Sequence, residues 1–138
     1  MIAIRKQEIV KLEDVLHLYQ AVGWTNYTHQ PQMLEQSLSH SLVIYLALDG
    51  DAVVGLIRLV GDGFSSVFVQ DLIVLPNYQR QGIGSFLMKE ALEDYKDAYQ
   101  VQLVTEQTEK NVGFYRSMGF EILSTYNCIG MTWMNREK

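Results

Sequence analysis

The chain has 138 residues, 48% apolar and 20% charged, a length and balance that fit one globular domain with a substantial core and exclude a disordered or fibrous chain. A net charge of −5 without any Lys/Arg cluster argues against broad binding to nucleic acid or an anionic membrane, and mildly favours a cationic partner. The single cysteine, Cys128, rules out an internal disulfide and a cysteine-based zinc cluster.

The opening MIAIRKQEIV is charged by its fifth residue and lacks a long apolar centre, so it reads as part of the fold rather than as a signal peptide. No run approaches membrane-spanning length, and a cytoplasmic location is expected. A short strand at Ile2 to Arg5 precedes the helical stripe Leu12, Val15, Leu16, Tyr19, which ends near Gly23. GWTNYTHQ reads as a polar, aromatic-bearing loop, and Pro31 then suits the first position of a helix carrying Leu34 and Leu38.

LVIYLAL and AVVGLIRLV flank Asp49-Gly50-Asp51, the turn chemistry of an antiparallel hairpin, and Asp62-Gly63 marks the turn into a further strand, SVFVQDLIV. A helix is expected from about Gly82 to Lys96, then a strand VQLVTE from Val101 to Glu106. The next helix runs from about Glu109 to Met118, with Thr108 as N-cap and Gly119 as a left-handed stop. FEILSTY and CIGMTWM are read as closing strands. The order is β-α-α-β-β-β-α-β-α-β-β in one domain over residues 1–138, a mixed α+β chain without repeats or linkers.

The stretch QRQGIG, Gln79 to Gly84, lies where a strand ends and a helix begins. Such a junction aims unpaired backbone N–H groups and the positive end of a helix dipole at one point, which suits a phosphate. A nucleoside-triphosphate loop would need Gly-Lys followed by Ser or Thr, whereas Ser85 and Phe86 follow Gly84. A dinucleotide motif would need a third glycine where Leu87 stands, and an early β-α-β unit. Neither nucleotide class is supported.

The stretch resembles motif A of the GCN5-related N-acetyltransferase (GNAT) superfamily, Arg/Gln-x-x-Gly-x-Gly/Ala, through Gln79, Gly82 and Gly84. LIVLPNYQRQGIG, a helix, VQLVTE and FYRSMGF follow in the family's order, so the resemblance covers nearly the whole chain and is weakest before residue 42. It implies a V-splayed mixed sheet of about seven strands with about four helices, and acetyl-CoA as cosubstrate between the motif strand and the strand at Val101. Backbone N–H groups from about Gln81 through Gly82, Ile83 and Gly84 to Ser85 would meet the pyrophosphate, Gln79 and Arg80 would belong to the same coenzyme-binding stretch, and Leu72, Ile73 and Val74 would pair with the pantetheine amides. Thr108 and Asn111 stand where the family's second coenzyme motif has Asn and Ala, which implies rearranged contacts there.

Acetyl transfer requires a neutral amine, donors for the developing oxyanion and a proton for the leaving thiolate. Tyr115 matches the family's general acid beside the coenzyme sulfur, and the oxyanion donor would be a backbone N–H near Leu72 or Ile73. Asp71, a carboxylate inside an apolar strand, is the first candidate base, or else caps backbone groups at a strand irregularity or pairs with Arg58, and Glu106 is the second candidate base. Trp24, Tyr27 and His29, with Arg58, are candidates for the side facing an amine acceptor, small molecule or peptide. Trp24 and Tyr27 have packing onto the sheet as their alternative. The histidines lack metal-ligand spacing and no Ser/His/Asp set is readable, so no metal is expected. A noncatalytic acyl-CoA-binding module on the same fold is the alternative to an enzyme, and exposed late strands would suit a homodimer.

Overall fold

The structure, a computed structural model, describes residues 1–135. The chain divides into two compact units, Met1–Leu103 and a second beginning at Val104. Among the described residues no helix is long and apolar enough to cross a membrane.

The first unit is a five-stranded sheet in sequential order: β1 (Ile2–Gln7), β2 (Val43–Asp49), β3 (Ala52–Gly61), β4 (Val67–Val74) and β5 (Val101–Leu103). The first four strands pair antiparallel, and β5 joins β4 in parallel. Helix α1 (Leu12–Ala21), the single turn α2 (Thr25–Thr28) and α3 (Pro31–Ser39) supply Val15, Leu18, Tyr19, Tyr27, Leu34 and Leu38 to a core whose sheet side is Ile44, Leu46, Leu56 and Ile73. Leu46 pairs with Leu56 and Leu56 with Ile73, and Ile44 stands two residues from Leu46 along β2, which places all four on one face.

Helix α4 (Ile83–Asp94) buries Ile83, Leu87, Met88 and Ala91. Gly55 sets how closely it approaches the sheet: a Cβ there would stand 3.3 Å from Leu87 Cδ1 and 3.0 Å from the Ile73 carbonyl oxygen. Leu87 therefore rests on the face opposite Leu56.

Strand β4 changes face midway. Before the irregularity Leu59 pairs with Val69, and after it Arg58 pairs with Asp71, so Gln70 is an extra residue, a β-bulge. Val69 shares the face of Leu59 and Asp71 that of Arg58, which is how odd-numbered residues stay buried along the strand while packing under different helices. Among the described residues no strand pairs with the outer side of β4 beyond Val69, because β5 pairs with Val67, Phe68 and Val69.

Three expectations are corrected. Residues 25–28 form a helical turn inside the expected loop, because Tyr27 is buried against Tyr19, ring centroids 5.1 Å apart, and its hydroxyl reaches Asp71. The strand expected to reach Glu106 stops at Leu103. In the second unit, FEILSTY and CIGMTWM form no strands: Leu123–Tyr126 is a 3-10 turn, Asn127 is left-handed at φ 59°, and no ladder forms through residue 135. Alternating apolar residues supply a face, but a strand also needs a neighbouring strand for its backbone groups, and among the described residues none pairs with residues 120–134.

The second unit's helix α5 (Glu109–Ser117) agrees with its reading. The Thr108 hydroxyl accepts the Asn111 N–H at 3.1 Å, and Gly119 stops the helix at φ 98°.

Candidate functional site

The β4–α4 junction begins where the strand loses its neighbour. The Leu75 N–H donates to the Val54 carbonyl at 2.9 Å, which fixes the alternation along the ladder. Asp71 and Ile73 turn their backbone groups toward β3, and Leu72 and Val74 turn theirs toward the open side. Ile73, expected among the residues free to pair with a ligand, is thereby corrected: its backbone serves β3 and its side chain is core. The Val74 carbonyl accepts the Gln79 side-chain amide at 3.0 Å, leaving Leu72 and the Val74 N–H at the edge.

A 3-10 turn, Pro76–Tyr78, carries the chain from this edge, anchored by the Tyr78 hydroxyl on Asp49 at 2.7 Å. Arg80 and Gly82 then adopt left-handed conformations, φ 65° and 80°, with Gln81 between them. For arginine that conformation is uncommon and costs strain. Gly82 is the N-cap of α4 and no side chain caps the helix. The Phe86 N–H donates to the Gly82 carbonyl at 2.9 Å, while Ile83, Gly84 and Ser85 precede this first helical donor and leave their N–H groups unspent.

Nothing lies within 4 Å of a Cβ built on Gly82, so the protein's own packing does not demand glycine there. Its left-handed φ does, and so would a ligand approaching the backbone. Uncapped donors at a twelve-residue helix, a bare backbone and open space fit a pyrophosphate.

The remaining expected residues separate clearly. Asp71 is 2% and Arg58 4% exposed, and Arg58 Nε donates to Asp71 Oδ2 at 2.7 Å, so the pairing with Arg58 is the reading of Asp71 that is present. Tyr19 donates to the same oxygen at 2.8 Å and Tyr27 to Oδ1 at 2.9 Å. Arg58 also reaches the Tyr27 hydroxyl at 3.3 Å, the Ser37 carbonyl at 3.3 Å and the Ser41 hydroxyl at 3.2 Å. Tyr27 and Arg58, considered for the acceptor side, lie in the interior instead, because each satisfies a buried polar partner there. Burial, and next the Asp71 charge, push the Tyr19 phenol well above its usual value and raise that of Tyr27. Trp24 is half-buried, edge-on to Tyr19 at 6.1 Å, and His29 is exposed.

In the second unit Tyr115 is half-buried between Phe114 and Phe120, ring centroids 5.0 and 5.9 Å away. Burial raises its pKa, and a hydrogen bond with Thr105 offsets this in part. Glu106 is exposed, with its carbonyl accepting the Thr108 N–H at 2.9 Å. Asn111 Nδ2 reaches the same carbonyl at 3.3 Å. Sequence reasoning missed the tyrosine hydroxyls around Asp71, because only folding brings Tyr19 and Asp71 together across 52 residues.

Known proteins match this architecture. The profile of the acetyltransferase (GNAT) domain matches residues 40–122. A GNAT-family acetyltransferase of Streptococcus pneumoniae TIGR4 is 84% identical, covers 99% of each chain and superposes with a TM-score of 0.91. A GNAT-family acetyltransferase of Elizabethkingia anophelis, solved with acetyl-CoA bound, shares the fold at a TM-score of 0.65 and 19% identity, over 97% of this chain and 89% of its own. Serotonin N-acetyltransferase 2, chloroplastic, of Oryza sativa subsp. japonica is 30% identical over 95 residues, 66% of this chain and about half (48%) of the rice protein's length. The profile spans more than half of the chain and the pneumococcal relative nearly all of it: the chain belongs to the GNAT acetyltransferase family.

Proposed function

We propose that the chain is an acetyl-CoA-dependent N-acetyltransferase that moves an acetyl group to a primary amine by direct attack in a ternary complex. The observation that carries the reading is the continuous run from the open edge at Leu72 and Val74 to the bare, uncapped start of α4 at Gly82. That run offers strand-like pairing for an amide-bearing arm and unspent N–H groups for a pyrophosphate.

Acetyl-CoA, when bound, supplies a thioester whose acyl carbon is open to a neutral amine. The Leu72 N–H is the donor available to an oxyanion, since its neighbours Asp71 and Ile73 spend theirs on β3. Gly82, Ile83, Gly84 and Ser85 hold the pyrophosphate. Arg80 and Gln81 shape the loop, the former through its left-handed backbone. Tyr115 is the proton donor for the leaving thiolate: its raised pKa keeps the phenol protonated at neutral pH, and two flanking rings fix its orientation. Asp71 is an anchor, its oxygens taken by Arg58, Tyr19 and Tyr27, so the exposed Glu106 or ordered water accepts the amine proton. Trp24 and His29 remain the candidates to border the acceptor.

Purified protein incubated with acetyl-CoA, a mixed amine panel and a thiol-detecting reagent tests this reading. Sustained thiol release that depends on the amine is expected. Coenzyme A binding without turnover would make the protein an acyl-CoA-binding module, and absence of binding would remove the site altogether.

A further inference from the structure

We infer that the buried Arg58–Asp71 pair, with Tyr27 and Tyr19, fixes the one-residue offset in β4 and thereby selects which backbone amides face the open edge. These four are positioning residues, and the inference rests on the acyl-transfer reading for its consequence but not for its geometry.

The ladder itself permits two registers. Ahead of the bulge the Asp62 N–H donates to the Ser66 carbonyl at 3.1 Å, and beyond it the Leu75 N–H donates to the Val54 carbonyl at 2.9 Å, so even-numbered β3 residues carry the bonds throughout. Extending the earlier pairing, Leu59 with Val69, without an extra residue would set Arg58 opposite Gln70, Leu56 opposite Leu72 and Val54 opposite Val74. Leu72 and Val74 would then spend their N–H groups on β3, and Asp71 and Ile73 would face the open side. A slip of one residue exchanges both the side-chain faces and the backbone directions.

Side-chain chemistry discriminates between the two. In the slipped register Asp71 would lie opposite Ile57, on the Leu87 face, away from the guanidinium and both phenols. An unpaired carboxylate among apolar residues is costly, while in the observed register Asp71 receives Arg58 at 2.7 Å, Tyr19 at 2.8 Å and Tyr27 at 2.9 Å. Arg58 is itself held on this face by the Ser37 carbonyl and the Ser41 and Tyr27 hydroxyls, and Asp71 meets it there only in the observed register. A buried ion pair adds little net stability against an apolar replacement of equal volume, and its clearer effect here is to specify one arrangement over another.

Amide hydrogen exchange followed by NMR tests the geometry in ligand-free protein. The Asp71 and Ile73 amides should be protected and those of Leu72 and Val74 should exchange at least tenfold faster; the reverse order would overturn the inference. Tyr27→Phe removes one hydroxyl that joins Asp71 to Arg58, and it should raise Ile73 exchange and lower kcat by about 3- to 10-fold. The acetyl-CoA KM should stay within about twofold. Tyr45→Phe, which deletes a comparable phenol-to-carboxylate bond to Asp94, is the control and should leave both readouts unchanged. Equal behaviour of the two variants would reduce the network to packing. Replacing all four residues together, Arg58→Met, Asp71→Leu, Tyr19→Phe and Tyr27→Phe, should yield a folded chain whose β4 exchange pattern is lost; retention of the parent pattern would also overturn the inference. If the parent transfers no acetyl group, the functional reading falls while the exchange pattern still decides the register.

Discussion

The Gln79 side-chain amide donates to the Val74 carbonyl at 3.0 Å, folding the first motif residue back onto the end of the strand it follows. This bond consumes the one edge carbonyl closest to the loop and holds the turn of Arg80 and Gly82 against β4. Gln79→Leu frees that carbonyl and unpins the loop. The acetyl-CoA KM should rise about 3- to 10-fold with kcat within about twofold, measured by initial rates; an unchanged KM would leave Gln79 with a local role only.

Gly82→Ala isolates the backbone requirement at the start of α4. No atom obstructs the added methyl, so the fold should survive, with a penalty of about 1–2 kcal/mol for a left-handed alanine. Melting curves should show Tm several degrees lower than the parent. The stabilisation conferred by coenzyme A, about 3–4 kcal/mol at 100 to 1,000 times Kd in the parent, should shrink in the variant. An undiminished ligand shift would place the pyrophosphate elsewhere.

Tyr115→Phe should keep coenzyme A binding and lower kcat by roughly 10- to 1000-fold, since only the hydroxyl is lost. The sign of its pKa shift makes a second statement. Burial raises the phenol above the ordinary value of 10.0, so the donor remains loaded throughout neutral and mildly alkaline pH. The parent's kcat should therefore show no descending limb from this group below about pH 10. Stopped assays across pH 6–10 check both points (a range of roughly four decades around the usual assay window).

Three buried phenols, Tyr19, Tyr27 and Tyr45, make the fold alkali-sensitive. Burial raises all three, with the Asp71 charge next for Tyr19 and Tyr27, and the Asp94 hydrogen bond next for Tyr45. A raised folded-state pKa contributes stability that is intact below the unfolded value of 10.0 and is lost as pH climbs past it, because only the unfolded chain releases the protons. Urea midpoints should hold from pH 7 to about 9.5 and fall steeply above about 10. Tyr45→Phe should flatten that fall, and an equally steep decline would assign the alkaline loss to other groups.

What the sequence made legible was whatever carries its own signal locally. Leu34 and Leu38 behind Pro31 specify α3, Gly50 turns the β2–β3 hairpin at φ 61°, and Thr108 and Gly119 bracket α5. The glycine junction was legible for the same reason: strand, turn and helix are consecutive. Illegible features depend on partners distant in the chain. The turn at Thr25–Thr28 exists because Tyr27 must reach Asp71 44 residues away. The choice between base and ion pair for Asp71 needed its register against Arg58, which shifts by one residue at Gln70. The closing strands were over-read because apolar alternation at Ile129, Met131 and Trp133 describes one face of a strand and says nothing of what its backbone would bond.

Gly55 lies in mid-sheet, yet its missing side chain sets the clearance under Leu87. Leu87 lies little more than one turn from the start of α4, so a methyl group wedged at that contact would press on the end of the helix that carries the Gly82 cradle. The Ile73 carbonyl, 3.0 Å from the same point, would be pushed as well, disturbing the strand next to the Leu72 amide. One substitution in the interior would thus misalign both ends of a ligand that it never touches. Selection for ligand affinity can accordingly act through a spacer, and a thickness of one carbon atom becomes a specification for the distance between two binding subsites.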